Sequence, residues 1–204
     1  MAVLQDRYLQ VSWWEGSRDL SNQSRVLGNA IATLLSIGVP PTRHEFVGDL
    51  HGTVALRLGG TEIESFEMWT SASTGCWEVH TRSMKERRVF NPEDGLLIVE
   101  GRRREEIPIS ERQSPPIHPA ARLAFPLRLP VWGRVPIDQW KMRGASETEH
   151  GVSIDLESIS DPSQAGFLVL SDSGLPRSVG SDDEQFVLLE TEPLSDSRRF
   201  FWRD

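Results

Sequence analysis

Apolar residues first follow a helical spacing. Six of them recur three or four positions apart between residues 22 and 37: Val26, Leu27, Ala30, Ile31, Leu34 and Leu35. Ser21 or Asn22 can cap the start of this segment, whereas Gly38 and the prolines after it can end it. The pattern predicts a helix over about 22–37, with an apolar stripe that needs a sheet face to bury it.

From about residue 50 the period changes to two, which is the spacing of β-strands. Val54, Leu56 and Leu58 alternate with more polar residues, and the pair Gly59-Gly60 is typical of a hairpin turn. Similar short blocks continue to residue 100, resume at 137 and end near 191. They predict two antiparallel meanders, the first of about five strands.

A proline-rich segment, residues 101–136, separates the two meanders. Six prolines lie between Pro115 and Pro136, and a short helix can start at Pro119 and run to about Phe125. Proline cannot donate to a β-ladder, so this segment is not a central strand. It is either a lid over a binding site or a cover that seals a sheet edge.

These patterns predict a single α+β domain over 1–204. Its sheet is antiparallel and strongly curved, a half-open barrel of about nine to eleven strands, with an N-terminal helix and a mid-chain helix-loop on the concave face. The parts are the N-terminal segment and helix (1–40), the first meander (50–100), the proline-rich lid or loop (101–136), the second meander (137–191) and a tail (192–204).

Charge and composition narrow the function. The net charge is −8, and residues 145–204 carry a strong acidic excess, which disfavours a nucleic-acid partner. The single cysteine, Cys76, cannot form an intramolecular disulfide, and we expect an inert thiol. No signal peptide and no 20-residue apolar span occur, so the chain as written is predicted to be cytoplasmic, and exported only if Met1 is not the natural start.

Candidate catalytic and metal motifs are weak. His44, Glu45, Asp49 and His51 lie close together, but their spacing matches no zinc motif, and we interpret them as a solvated loop. The run 102–104 of arginines is followed at once by two glutamates and is interpreted as solvated. There is no G-x-S-x-G elbow and no phosphate loop. We therefore expect no catalytic residue, no metal and no cofactor.

The strand alternation does define a candidate ligand-binding face. Seven tryptophans against one tyrosine favour either a large aromatic core or a ligand-facing aromatic cluster. The predicted inner-face residues are Phe66, Met68, Trp77, Val79, Trp140, Met142, Ile154, Leu156, Phe167 and Phe186. They line either a filled core against the helix or a cavity with room for an apolar molecule.

Three stretches resemble the LolA/LppX-like lipoprotein-carrier architecture. They are the hairpin TEIESFEMWTSASTGCWEVHT (61–81), the strand-turn-strand ERRVFNPEDGLLIVE (86–100), and the late hairpin from Gly151 to Leu156 followed by Asp172, Gly174, Leu175 and Pro176. The resemblance spans roughly 50–190. It implies a half-open antiparallel barrel plugged by helices, which binds acyl chains or lipids and is not an enzyme. Family members are usually exported, whereas this N-terminus carries no signal.

Two functions follow as expectations. The first is a non-enzymatic module that binds a hydrophobic ligand or lipid, as the resemblance implies. The second is a cytoplasmic protein-interaction or regulatory domain with a filled core and no ligand. Its partner would be a protein, and neither function involves nucleic acid or a membrane span.

Overall fold

A computed structural model describes residues 22–36, 49–83, 85–109, 117–194 and 200. Residues 22–36 form one α-helix, α1. Eleven strands follow: β1 Leu50–Leu58, β2 Thr61–Ser71, β3 Cys76–Thr81, β4 Glu86–Asn91, β5 Gly95–Glu100, β6 Arg103–Ile107, β7 Trp140–Thr148, β8 Gly151–Ser158, β9 Ala165–Ser171, β10 Pro176–Gly180 and β11 Glu184–Pro193. Two 3-10 turns, Ala121–Ala124 and Pro126–Arg128, lie between β6 and β7.

All eleven strands belong to one open antiparallel sheet, in the order β6-β5-β4-β3-β2-β1-β11-β10-β9-β8-β7. Each meander is continuous, and the pairing of β1 with β11 joins them at the centre. The first meander therefore has six strands rather than the predicted five. The predicted α+β class is corrected to mostly β, because α1 is the single α-helix in the part of the chain that the structure describes.

The helix α1 follows the predicted spacing with a narrower apolar stripe. Val26, Ala30 and Leu34 are buried at intervals of four residues and belong to the main hydrophobic cluster. Leu35, which the sequence pattern placed in the stripe, is 44% exposed. The Arg25 side chain lies 3.5 Å from the Glu147 carboxylate, so α1 lies near strand β7.

The chain leaves β6 at one edge of the sheet and enters β7 at the other, about ten strand spacings away. Residues 117–132, which we call the plug, cross the inner face between these edges. Several plug side chains are fully buried in the main cluster: Ala120, Ala121, Leu123, Ala124, Leu129 and Val131. The mid-chain segment thus covers the inner face, and the isolated bridge between Trp132 and Lys141 also places it against edge strand β7.

The sheet curves around the plug. Strands β3 and β10 are four strand spacings apart, which is roughly 19 Å in a flat sheet. The four-residue turn Ala121–Ala124 nevertheless contacts β2, β3 and β10. A turn this short reaches all three strands because they bend towards it.

Candidate functional site

The strand register brings nine of the ten predicted inner-face residues to one side of the sheet. Met68 pairs with Val79, Met142 with Leu156, and the opposed residues of an antiparallel pair share a face. Seven are buried members of the main cluster: Phe66, Met68, Trp77, Val79, Trp140, Ile154 and Leu156. Met142 and Phe186 are partly buried against it.

The inner-face prediction for Phe167 is wrong by one residue. Leu168 is opposite Ile154 in the β8–β9 ladder, so Leu168 and Leu170 face the cluster and are buried. Phe167 is opposite Asp155 and is half-buried on the other side of the sheet. Strand β9 has apolar residues at consecutive positions, so it lacks the alternation that would show which of them face inward.

The sequence reasoning also missed a set of inner-face residues. Val54, Phe90 and Leu96 are buried in the same cluster, and their alternation within β1, β4 and β5 is a signal that could have found them. The plug residues carry no such signal, because prolines interrupt every apolar period between 115 and 136. Their burial depends on the path of the chain from β6 to β7.

One plug side chain, His118, packs among the inner-face aromatics. Its ring makes an edge contact with Phe66 at a centroid distance of 5.1 Å and lies 6.4 Å from Trp77. Its Nδ1 accepts a hydrogen bond of 3.2 Å from the backbone N–H of Ala120. Burial, together with the nearby charges of Arg88 and Arg122, lowers the pKa of His118 to about 4, so the imidazole is neutral at pH 7.

Among the residues that the structure describes, the buried indole N–H of Trp77 has no hydrogen-bond partner. Trp77 is only 1% exposed, and its ring stacks on Phe90 at 6.0 Å. A buried unsatisfied donor destabilises the folded protein by about 1–3 kcal/mol. The aromatic rings of this part of the inner face are therefore closely packed, but the Trp77 N–H lacks a described hydrogen-bond acceptor.

A cleft of about 230 Å³ remains between the plug and the second meander. Residues of the plug, of the start of β7 and of strands β10 and β11 line it: Pro119, Arg122, Pro130, Gln139, Trp140, Val179, Gly180, Ser181, Glu184 and Phe186. Two of these, Trp140 and Phe186, belong to the predicted inner face. They give the cleft an aromatic wall, while the plug supplies a cationic side chain.

That charged side chain, Arg122, is half-buried within the 3-10 turn Ala121–Ala124. Among the described residues, its guanidinium makes no hydrogen bond and no ion pair. Burial is the main influence on the pKa of Arg122 and lowers it, while the charge of Asp138 acts in the opposite direction. The side chain remains a cation at pH 7, because an arginine is always protonated in proteins.

The carboxylate of Asp138 is already occupied by a different arginine. Arg134 donates to it from its backbone N–H, from Nε and from Nη2, each at 2.9 Å. Burial raises the pKa of Asp138, but these hydrogen bonds outweigh it and hold the pKa below its ordinary value. The pair fixes the turn before β7, on which Gln139 and Trp140 of the cleft are placed.

The outer face of the sheet carries a second cluster that sequence reasoning did not find. The ring of Trp69 stacks on His51 at 4.6 Å and lies 4.9 Å from His80. His80 Nε2 lies 2.5 Å from Glu78, which also accepts a 3.0 Å bond from Arg87. The register aligns these side chains across β1 to β4, and their separation in sequence left no local signal.

The interpretation of residues 44–51 as a solvated loop is wrong for His51. This histidine is the second residue of β1, and its two ring nitrogens contact the carboxylates of Glu192 at 2.7 Å and Glu67 at 3.0 Å. Asp49 accepts hydrogen bonds from the backbone and hydroxyl of Ser73. His44 and Glu45 lie outside the described residues.

Other candidate chemistry is limited over the ranges that the structure describes. Their His, Cys, Asp and Glu side chains include no group of three or more that could hold a metal ion. Cys76 is buried beside Trp69 and Phe200, and burial raises the pKa of its thiol. None of the helices in these ranges has the length and apolar content needed to cross a bilayer.

The predicted solvated arginines lie on an edge strand. Arg103 and Arg104 belong to β6, where each is paired with the glutamate two residues on, at 2.9 and 3.0 Å. Charged side chains on an exposed edge discourage pairing with another chain. Their charges are neutralised locally, and they add nothing to the cleft.

Comparison with family models and with curated proteins identifies no relative of this chain. No family model matches this chain, and a search of curated proteins found no match. The resemblance to lipoprotein carriers therefore stays a prediction. The cleft and the two faces of the sheet are the basis for a functional proposal.

Proposed function

We propose that this chain is a non-enzymatic binding module that holds a hydrophobic or amphipathic ligand in the cleft between the plug and strands β10 and β11. The observation that carries the proposal is the cleft of about 230 Å³, with Trp140 and Phe186 among its lining residues. Pockets for apolar ligands combine aromatic walls with a few polar groups. Gln139, Ser181 and Arg122 supply such polar groups here.

The size of the cleft restricts the ligand. A cavity of about 150 Å³ holds one benzene molecule, and drug-sized pockets start at about 300 Å³. A cleft of about 230 Å³ matches a single short acyl chain or one small ring system. A longer chain would extend through the open side of the cleft or displace part of the plug.

The order of elements supports the lipid-carrier version of this proposal. A helix, a six-stranded meander, a plug across the inner face and a five-stranded meander occur in the order that the resemblance to LolA/LppX-like carriers implies. The acyl-chain class of ligand rests on that resemblance together with the aromatic wall.

The first test is native mass spectrometry of the purified protein, followed by organic extraction and lipid analysis. We expect a co-purifying apolar or acyl molecule that is lost in Phe186→Asp. The matched control is Phe167→Asp, because Phe167 is also half-buried but lies on the opposite face of the sheet. Unliganded wild-type protein that fatty acids and phospholipids do not stabilise in thermal shift would exclude the proposal.

A second function is favoured by the packing of the interior. Six plug side chains have no exposed area, so the plug packs closely against the inner face. This filled core suits the alternative of a protein-interaction or regulatory domain. The absence of any ligand in the mass-spectrometric test would favour this alternative, with the partly exposed outer-face residues around Trp69 as the first surface to mutate.

A further inference from the structure

The guanidinium of Arg122 is a cation in the cleft that no carboxylate of the described residues pairs with. It is half-buried, and within the described chain no carboxylate pairs with it and no acceptor receives its hydrogen bonds. It is also the one cationic side chain among the described residues that line the cleft. A guanidinium has five N–H donors in a planar fork, so burying it without acceptors is unfavourable.

The neighbouring charges do not satisfy Arg122. The Asp138 carboxylate is held by three hydrogen bonds from Arg134, and Arg88 is paired with Glu86. His118 is neutral at pH 7, because burial holds its pKa at about 4. Glu184 also lines the cleft, but it is an exposed residue and makes no ion pair with Arg122. Over the described ranges, the cleft therefore retains one half-buried donor group with no acceptor, which a ligand can supply.

We propose that the ligand of this cleft is a short amphiphile with a carboxylate at one end, which Arg122 binds, and an apolar chain that packs on Trp140 and Phe186. This inference rests on the proposed binding function and adds the chemistry of the head group. A carboxylate fits because its two oxygens accept parallel hydrogen bonds from the planar guanidinium fork. The cleft of about 230 Å³ has room for roughly ten non-hydrogen atoms, which corresponds to an eight-carbon acid.

The test compares two probes that differ only in the head group, octanoate and 1-octanol, by isothermal titration calorimetry at pH 7.5. We expect wild-type protein to bind octanoate about tenfold or more tightly than octanol, because hydrogen bonds to a charged partner exceed neutral ones. Arg122→Gln should remove this preference and leave octanol binding nearly unchanged. Arg122→Lys keeps the charge without the fork and should retain only part of the preference.

The matched control is Arg128→Gln. Arg128 lies in the second 3-10 turn of the same plug, is exposed and does not line the cleft, so its loss should leave the preference at the wild-type value. The wild-type ratio of the two affinities is informative on its own, so the test does not depend on the folding of any variant.

The outcomes separate the two proposals. Equal binding of octanoate and octanol by wild-type protein would overturn the carboxylate assignment and leave the apolar binding site intact. Binding of neither probe would overturn both proposals. An octanoate preference that persists in Arg122→Gln, or that Arg128→Gln removes, would also exclude Arg122 as the group that binds the carboxylate.

Discussion

At the scale of single residues, two ionisable side chains of the plug lie against the apolar inner face. His118 and Arg122 are four positions apart and are respectively largely and partly removed from water. Burial affects the charge of the two side chains differently. The imidazole loses its charge, whereas the guanidinium keeps it. The first is a stability determinant, and the second is the polar group that we assign to the ligand.

His118 should make the stability of the protein depend on pH. Its pKa is about 4 in the folded state and about 6.5 in the unfolded chain, so between these values the unfolded state binds more protons. The free energy of unfolding should therefore fall as the pH decreases from about 6.5 towards 4. The contribution from His118 amounts to about 3 kcal/mol at the low end.

Urea unfolding at pH 7 and at pH 5 measures this effect. His118→Asn keeps an acceptor near the Ala120 N–H and removes the titrating ring, so it should lose less stability than wild type over this interval. The matched control, His150→Asn, removes an exposed imidazole from the turn between β7 and β8 and should keep the wild-type change. Identical pH dependence in His118→Asn and wild type would contradict the assignment.

At the scale of elements, α1 and the plug cover the inner face within the described part of the chain. The helix is attached through a narrow stripe of Val26, Ala30 and Leu34, and most of its remaining surface is exposed. The plug is attached more extensively, through its buried apolar residues and through backbone bonds such as Trp140 N–H to the carbonyl of Pro130. We therefore expect α1 to be the element whose stability responds most to local helix propensity.

Replacing Gly28 in α1 by alanine should stabilise the protein. Gly28 is exposed, and no atom lies within 4 Å of the position that a Cβ would take. Glycine in a helix interior is less favourable than alanine by about 0.5–1 kcal/mol, so the free energy of unfolding should rise by that amount. Chemical denaturation at pH 7 checks this, and a decrease would show that the helix makes a contact at Gly28 in solution.

At the scale of the whole molecule, the pairing of β1 with β11 makes one sheet out of two meanders. This ladder joins strands separated by more than a hundred residues and runs the whole length of β1. Gly52 lies at this seam, between Met68 of β2 and Thr191 of β11. A Cβ at Gly52 would lie 2.6 Å from the backbone carbonyl oxygen of Glu190, so the strand must move to accept one.

Gly52→Ala should therefore destabilise the whole sheet by about 1–3 kcal/mol, the usual cost of overpacking. The same substitution at Gly28 is the control with the opposite expected sign. Denaturation followed by far-ultraviolet circular dichroism and by tryptophan fluorescence should give one shared, lowered midpoint, because the seam belongs to both meanders. Wild-type stability in Gly52→Ala would mean that β1 and β11 do not pair as described.

Local structure follows from the sequence alone wherever one face of an element is buried. The period of α1, the alternation of β1 to β5 and β8, and their turn signals all follow from local sequence, because burial of one face imposes its own spacing on the residues. That spacing also identified most of the inner face, from Phe66 to Leu156. Where both faces of a strand are apolar, as in β9, the spacing does not show which residues face inward. The inner-face prediction for Phe167 was wrong for this reason.

The contacts that form across the sheet depend on the folded arrangement of the strands. The path of residues 117–132 over the inner face depends on β6 and β7 lying at opposite edges, which no local pattern encodes. The stacking of His51 on Trp69 and the placing of Arg122 in a cleft with Phe186 both join residues that are far apart in sequence. Such contacts depend on strand order and register, so the candidate site was visible only after the chain was folded.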